Sequence, residues 1–314
     1  MIKSRMMSDK HYIAAVGGAN IDVHGISYDE PRLHDSNPGR VCTSPGGTAR
    51  NIAENLARLG IDAHLLTAVG GDHYGDVLLK QGHAAGIDMS AVAQIEAQTT
   101  STYLSVLDST GNMLVSISDM SILEKLDPET IEQHHRLLEQ AAVIVVDTNL
   151  SDNTLAYITD QFAAQPIFVD TVSSTKAINI RPYLYAVHTI VPNLIEAEAL
   201  SGVRGENNQG LENIAQWFHG EGVQRVFITL GNKGIFFSTA DQQGTIEPSS
   251  VNAATNVNGA GDAFTAAMTV AWVKQWPLDR SLEFAMAAAS HTLSDAATVS
   301  PTISEAIVLQ LCEQ

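Results

Sequence analysis

Apolar runs of strand length recur at Tyr12–Val16, Ala63–Val69, Val143–Asp147, Ile167–Asp170, Thr189–Val191 and Arg225–Leu230, and helical patterns stand between several of them. Within Ile52–Leu59 the residues Ile52, Leu56 and Leu59 follow the i, i+4, i+7 spacing of one helix face, and Gly60 supplies a stop. The run Val143-Ile144-Val145-Val146-Asp147 has no polar alternation. Such strands are buried on both faces of a parallel sheet. Strands alternating with helices predict an α/β fold.

A different texture appears at Ser101–Met120, where two alternating segments flank Ser109-Thr110-Gly111-Asn112. That pattern predicts a hairpin. With the extended, turn-rich stretch Val23–Cys42 it would form a small β lid, from about 23–42 and 101–120, standing apart from the main sheet. From Ala260 to about Leu311 the chain reads as mostly helical, and neither a repeat nor a low-complexity linker interrupts it. The expectation is one α/β domain over residues 1–314 carrying that lid.

Composition narrows the function. Of 314 residues, 45% are apolar and 17% charged, which suits a large core and rules out a disordered chain. The 17 Lys+Arg stand against 35 Asp+Glu, a net charge of −18. Such a surface repels nucleic acid and anionic lipid, so neither is an expected partner. Any anionic ligand then needs a site built from backbone dipoles. Cys42 and Cys312 form no ligand-spaced cluster, the segment Met1–His11 is polar, and no run reaches the roughly 18 apolar residues of a membrane span. These features make a cytoplasmic protein the expectation.

The chemistry concentrates in a few loops. Asn256-Val257-Asn258-Gly259-Ala260-Gly261-Asp262 precedes a helical stretch; its small residues let the backbone approach a ligand, and the helix start turns unpaired N–H groups outward. Such a loop makes an anion hole without basic side chains, and Asp262 in the first turn could accept a proton from an attacking hydroxyl. Alone, the segment reads first as a turn whose Asp favours the helix dipole. Pro45-Gly46-Gly47-Thr48-Ala49-Arg50-Asn51 leads into another helix and offers exposed backbone and the amide of Asn51 for sugar hydroxyls. Asn20 and Asp22 follow strand Tyr12–Val16, at the carboxyl edge where ligands bind in open α/β sheets. Asn193 and Glu196, at i and i+3, share one face of a helix start and could order water around Mg²⁺. Thr229-Leu230-Gly231-Asn232-Lys233-Gly234 suits a phosphate-flanking loop and equally a plain hairpin turn. No GxxxxGK[ST] occurs, which excludes a P-loop mechanism, and the absence of GxGxxG after the first strand, of HExxH and of GxSxG takes most of the support from dinucleotide, zincin and α/β-hydrolase chemistry.

Taken together and in this order, these segments resemble the ribokinase/PfkB family of carbohydrate and nucleoside kinases, over residues 12 to 300. NVNGAGDAFTAAM resembles that family's C-terminal signature, GGTARNIAENLARLG its N-terminal one, and NLIE its N-x-x-E motif. Within the family, DSNPGRV, TSTYLSVLDSTGNMLVSISDM and FVDTVSSTKA are most similar to the pseudouridine kinases. The resemblance implies a ribokinase-like three-layer α/β/α fold with a mainly parallel central sheet and a β lid. It implies ATP-dependent phosphorylation of a nucleoside 5′-hydroxyl, with Mg²⁺ and, in many members, a monovalent cation such as K⁺. Asp262 would then be the catalytic base and Gly259, Ala260 and Gly261 the anion hole. Asn193, Glu196, Thr229, Gly231, Gly234 and Asn258 would serve the nucleotide, with Glu196 reaching Mg²⁺ through water. Asn20, Asp22, Gly46, Gly47 and Asn51 would hold the ribose, and Asp119 and Lys176 are further substrate candidates. A homodimer paired through the lids is also implied. The family's usual Asp-Thr-Thr before GAGD is Asn256-Val257-Asn258 here, and Thr48-Ala49 replaces the Val-Gly common in pseudouridine kinases. A kinase for another ribonucleoside or for ribose is the alternative enzyme. A non-catalytic sensor on this fold would be expected to lose Asp262, a glycine of the anion hole or Glu196, and all are present.

Overall fold

A computed structural model describes residues 12–248 and 258–313. Asn256 and Val257, and the first eleven residues of the expected domain, lie outside the described residues. In chain order the strands are β1 (Tyr12–Val16), β2 (Asn20–Ser27), β3 (Gly39–Gly46), β4 (Asp62–Leu66), β5 (Ala68–Gly70), β6 (Ala93–Ile95), β7 (Thr102–Leu107), β8 (Met113–Asp119), β9 (Val143–Asp147), β10 (Ile167–Asp170), β11 (Val187–Val191), β12 (Arg225–Thr229), β13 (Ile235–Ser238) and β14 (Gln243–Ile246). The helices are α1 (Thr48–Arg58), α2 (His73–Ala84), α3 (Pro128–Gln133), α4 (His135–Gln140), α5 (Asp152–Gln161), α6 (Ser174–Ala177), α7 (Leu194–Ser201), α8 (Asn208–Gly220), α9 (Ala260–Val273), α10 (Leu278–Leu293) and α11 (Glu305–Cys312).

Eight strands form the central sheet in the order β14-β13-β12-β11-β10-β9-β1-β4. From β4 to β12 every pairing is parallel, and only β13 and β14 run antiparallel at one edge. Successive side chains of a strand point to opposite faces, and the two cores divide on that rule. Val16, Val146, Val169 and Ile190 pack under α5, α7 and α8, while Ile13, Ala15, Val145, Phe168 and Phe227 pack under α1, α9 and α10. The result is the three-layer α/β/α arrangement with a mainly parallel sheet. Strands β9 and β10 are buried along their whole length, as their unbroken apolar runs require.

The apolar run Ala63–Val69 is two strands in space. At the end of β4 the Leu66 carbonyl accepts from Gly17 N–H at 3.1 Å, and the next carbonyl, of Thr67, accepts from Ala93 N–H at 2.9 Å. The chain therefore turns away from β1 and pairs β5 with β6 in a separate two-stranded sheet. Hydropathy carries no trace of that change of partner.

A second sheet, β3-β2-β7-β8, stands outside the main one. Its strands reach past the expected segments, with β2 starting at Asn20 and β3 running to Gly46. Cross-strand register separates its faces. Asp22, Tyr103 and Ser118 lie in one row and His24 and Ser105 share that side, whereas Val23, Leu104 and Ile117 form a row on the other. On the apolar side Val41, Val115 and Ile117 are largely exposed.

Candidate active site

The carboxyl ends of β9 and β10 place Asp147 and Asp170 in direct register. Asp147 is fully buried. Its Oδ2 accepts from the Gly18 N–H at 2.8 Å and the Ala49 N–H at 3.0 Å, and its Oδ1 from the Asn149 N–H at 2.9 Å. One carboxylate thus ties together the Gly17-Gly18 loop after β1, the start of α1 and the turn after β9. Burial raises its pKa, and the three amides offset part of that rise.

Helix α1 starts at Gly47, whose φ of +98° is open to glycine; a Cβ there would lie 2.4 Å from the Gly18 carbonyl oxygen. The first turns of α1 bring Asn51 against the first turn of α9, and Asn51 Nδ2 donates to Asp262 Oδ2 at 2.8 Å. Helix α9 is capped by Gly259 at φ +83°, with Asn258 exposed in the preceding turn. A Cβ at Gly259 would sit 1.9 Å from the Thr298 carbonyl oxygen, whereas one at Gly261 would meet no protein atom within 4 Å. Ala260 begins the helix between them. Asp262 is half-buried and still open to solvent on one side. Desolvation pushes its pKa up to about 7, helped by Asp147 and Asp22 and opposed by the Asn51 hydrogen bond and Arg50. Asp170, at the end of β10, is pushed well above the carboxylate range by burial and by Asp262; it accepts from Thr265 Oγ1 at 3.3 Å.

Asn193 and Glu196 form a capping box on α7: Asn193 Oδ1 accepts from the Glu196 N–H at 2.9 Å, and Glu196 Oε2 accepts from the Asn193 N–H at 2.8 Å. Glu196 Oε1 also takes Asn193 Nδ2 at 2.7 Å, and Oε2 takes Thr171 Oγ1 at 2.6 Å. Three donors therefore meet a carboxylate with about four lone-pair sites, which leaves room for one water. No group of three or more His, Cys, Asp or Glu is gathered as a metal cage among the described residues. That donor set suits Mg²⁺ held through water and by phosphate oxygens rather than by the protein alone. Thr229, at the end of β12, bridges to Asn193. Gly231 and Gly234 shape the tight hairpin to β13, where the Leu230 N–H donates to the Gly234 carbonyl at 2.8 Å. A hollow of about 460 Å³ beside this hairpin is lined by Leu194, Leu230, Lys233 and Thr245; Asp262 does not border it.

The expected ribose residues sit at the root of the second sheet. Asn20 is buried, and its Nδ2 donates to Asp22 Oδ1 at 2.7 Å. Asp22 has a raised pKa, chiefly through burial. A Cβ at Gly46 would lie 2.3 Å from Asp22 Oδ2, so only glycine leaves that carboxylate its place. Lys176, at the end of the short α6, is half-buried, and its Nζ bonds Asn149 Oδ1 beside the Gly18 loop. Burial lowers its pKa, and Asp147 opposes that change. Asp119 is exposed at the end of β8, paired across from Thr102, and accepts from Ser121 Oγ at 2.7 Å. Asn20, Asp22, Gly46, Gly47, Asn51 and Asp262 are thus brought together. Asp119 stays at the rim of the second sheet, and the Asn193–Glu196 pair joins the rest through Thr171 and Asp170.

Sequence reasoning passed over Asp147, Asp170 and Arg50. The first two end the strand runs VIVVD and IFVD, the same carboxyl-edge position that singled out Asp22. Arg50 stands in the segment leading to Asn51, and only its burial singles it out.

Residues 10–305 match the family model described as pfkB family carbohydrate kinase. The chain is 41% identical over 308 residues to a pseudouridine kinase of Escherichia coli (strain K12), covering 98% of both chains. It is 31% identical to an uncharacterized sugar kinase of the same organism, covering 98% of this chain and 85% of the relative. The structure of Arabidopsis thaliana ribokinase complexed with ribose and ATP superposes with a TM-score of 0.88 at 21% identity, over 96% of this chain and 99% of that one, which speaks for the fold.

Proposed function

The chain belongs to the pfkB family of carbohydrate kinases, and from that membership we propose that it transfers a phosphoryl group from ATP to the 5′-hydroxyl of pseudouridine, giving pseudouridine 5′-phosphate and ADP. The observation that carries the reading is the meeting of two distant glycine-led loops at Asn51 and Asp262. The 41% identity to a pseudouridine kinase supports the acceptor.

In this reading Asp262 draws the proton from the 5′-hydroxyl, a task suited by a pKa near 7. The N–H groups of the Gly259–Gly261 turn face the group in transfer and stabilise its negative charge through the start of α9. Gly261 leaves the space above it free of protein, which is what a phosphoryl oxygen needs. Mg²⁺ bound with ATP would supply charge neutralisation at the phosphates; Glu196 would hold it through water, and Asn193, Asn258, Thr229, Gly231 and Gly234 would line the nucleotide. Asn20, Asp22, Gly46, Gly47 and Asn51 hold the ribose, and Lys176 contacts the rest of the nucleoside; Asp119, two residues from Ile117 on the side of the sheet turned away from Asp22, takes no part in this reading. The second sheet acts as a lid whose polar side covers the acceptor and excludes water.

The opposite, apolar side of that sheet exposes Val41, Val115 and Ile117 together. A contiguous apolar face on a single chain marks an interface, and it supports a homodimer paired through the lids. No helix among the described residues is long and apolar enough to cross a membrane.

The test is a kinase assay on the purified chain with ATP and Mg²⁺ and a panel of pseudouridine, uridine, adenosine and ribose. Pseudouridine should give the highest kcat/KM, with ³¹P NMR locating the phosphate on the 5′-oxygen. A preference for ribose or another ribonucleoside would move the assignment to that acceptor, and no turnover with any would remove it. Replacing K⁺ by Na⁺ in the same assay reads monovalent-cation activation.

A further inference from the structure

Arg50 is the second residue in from the first helical position of α1, and only 5% of its surface is exposed. Its Nη1 donates to Asn51 Oδ1 at 2.9 Å and to the Pro45 carbonyl at 3.4 Å. Its Nη2 bonds the carboxylate of Glu54, whose other oxygen accepts from Arg58 Nε at 2.8 Å and Nη2 at 2.6 Å. Arg50 Nε is buried without a partner.

Burying a guanidinium costs several kcal/mol unless other interactions compensate. Neutralising Glu54 does not account for Arg50, because Arg58 already gives that carboxylate two charge-assisted hydrogen bonds. Of its remaining contacts, the long one to the Pro45 carbonyl is weak and the short one is with Asn51. A carboxamide has one oxygen and one NH₂. With its oxygen held by Arg50, Asn51 must present its NH₂ to Asp262. A reversed amide would set its oxygen against a carboxylate oxygen and lose both bonds.

We propose that Arg50 is a positioning residue for phosphoryl transfer, fixing the Asn51 amide so that Asp262 is held in the orientation of a general base. The inference rests on Asp262 acting as that base. The triad Arg50–Glu54–Arg58 also carries one net positive charge along α1, with Arg50 at the Asp262 end. There Arg50 faces a mostly acidic site: Asp22 from β2, Asp147 from β9 with Lys176 from α6 beside it, Asp170 from β10 and, beyond Asp170, Glu196 from α7. Arg50 is the cation that opposes them at Asp262.

The test compares Arg50→Met, Arg50→Lys and Glu54→Gln in the intact chain. Readouts are the pH profile of kcat and the ¹³C NMR titration of the aspartate carboxyl resonance that disappears in Asp262→Asn. Arg50→Met should lower kcat at least tenfold with little change in KM for ATP, and should move both the acidic limb and the carboxyl titration to higher pH by about one unit. Arg50→Lys keeps the charge and loses the fork, so the limb stays in place while kcat remains low. Glu54→Gln leaves Arg50 less compensated and should move the limb to lower pH, a shift of opposite sign that a purely structural role would not produce. If Arg50→Met does not fold, the Lys and Gln variants decide. An unmoved limb and an unmoved titration overturn the proposal. Full activity in Asp262→Asn instead overturns the base assignment, so the two failures are distinguishable.

Discussion

The carboxamide of Asn51 and the carboxylate of Asp262 meet at 2.8 Å although 211 residues separate them. This contact joins the start of α1 to the start of α9, two helices each capped by a glycine at positive φ. Asn51 can donate to the carboxylate but cannot take a proton from it, so Asp262 remains the group able to act as base.

Replacing Asp262 with Asn removes that base and keeps a similar shape. Turnover should fall by about 10²–10⁴, while pseudouridine binding, measured by calorimetry, stays within a few fold. A rate close to that of the unmodified chain would exclude Asp262 from proton transfer.

The pKa of about 7 on Asp262 has two consequences of opposite sign. The base must be ionised, so kcat/KM should climb as pH rises from 6 to 8 and then level. Stability should move the other way. The folded chain keeps a proton that the unfolded chain, at an ordinary pKa of 3.8, has already released. Stability therefore falls as pH rises from the unfolded pKa through the folded one. Asp262→Asn should then melt above the unmodified chain at pH 8 and lose that advantage at pH 4, a difference that calorimetric scans at both pH values read.

Gly259 and Gly261 lie two residues apart and should fail differently. Gly259→Ala places a Cβ against the Thr298 carbonyl at φ +83° and should destabilise the chain by about 1–2 kcal/mol for the conformation alone. Gly261→Ala meets no protein atom. It should leave the melting temperature unchanged or higher, yet lower kcat at least tenfold. A fully active Gly261→Ala would mean that no phosphoryl group occupies that space.

Asp22→Asn tests recognition of the ribose. A hydrogen bond to a charged group is worth about 1.5–3 kcal/mol, so KM for the nucleoside should rise roughly 10- to 100-fold with kcat much less affected. A 2′-deoxy acceptor should lose affinity in the unmodified chain and little more in the variant. Equal losses in both would detach Asp22 from the vicinal hydroxyls.

The apolar face of the second sheet should hold two copies together. Val115→Glu with Ile117→Lys places charges in the middle of it and should convert a dimer into a monomer by light scattering. An unchanged dimer would locate the interface elsewhere.

Much of this architecture was legible in sequence because it follows from periodicity. Unbroken apolar runs gave β9 and β10, and the i, i+4, i+7 spacing gave α1, although the helix starts four residues earlier, at Thr48. The break of Ala63–Val69 into β4 and β5 depends on which distant carbonyl accepts which N–H, and no local pattern encodes that. The site divides in the same way. Asn51 and Asp262 stand in loops whose glycines announce close approach. Asp147 and Arg50 are set by burial, a property of the folded chain: in sequence one is the last residue of a strand run, and the other only the neighbour of Asn51.

The second sheet is rooted at Asn20, Asp22 and Gly46 and runs outward from there to the turns at Tyr28–Pro38 and Asp108–Asn112. The residues nearest the chemistry are locked to the central layer, while those farther along the strands are spaced two apart on a surface open to replacement. The two ends of this sheet are therefore under different constraints: a change at the root disturbs contacts with the central layer, whereas a change at the outer turns leaves them in place.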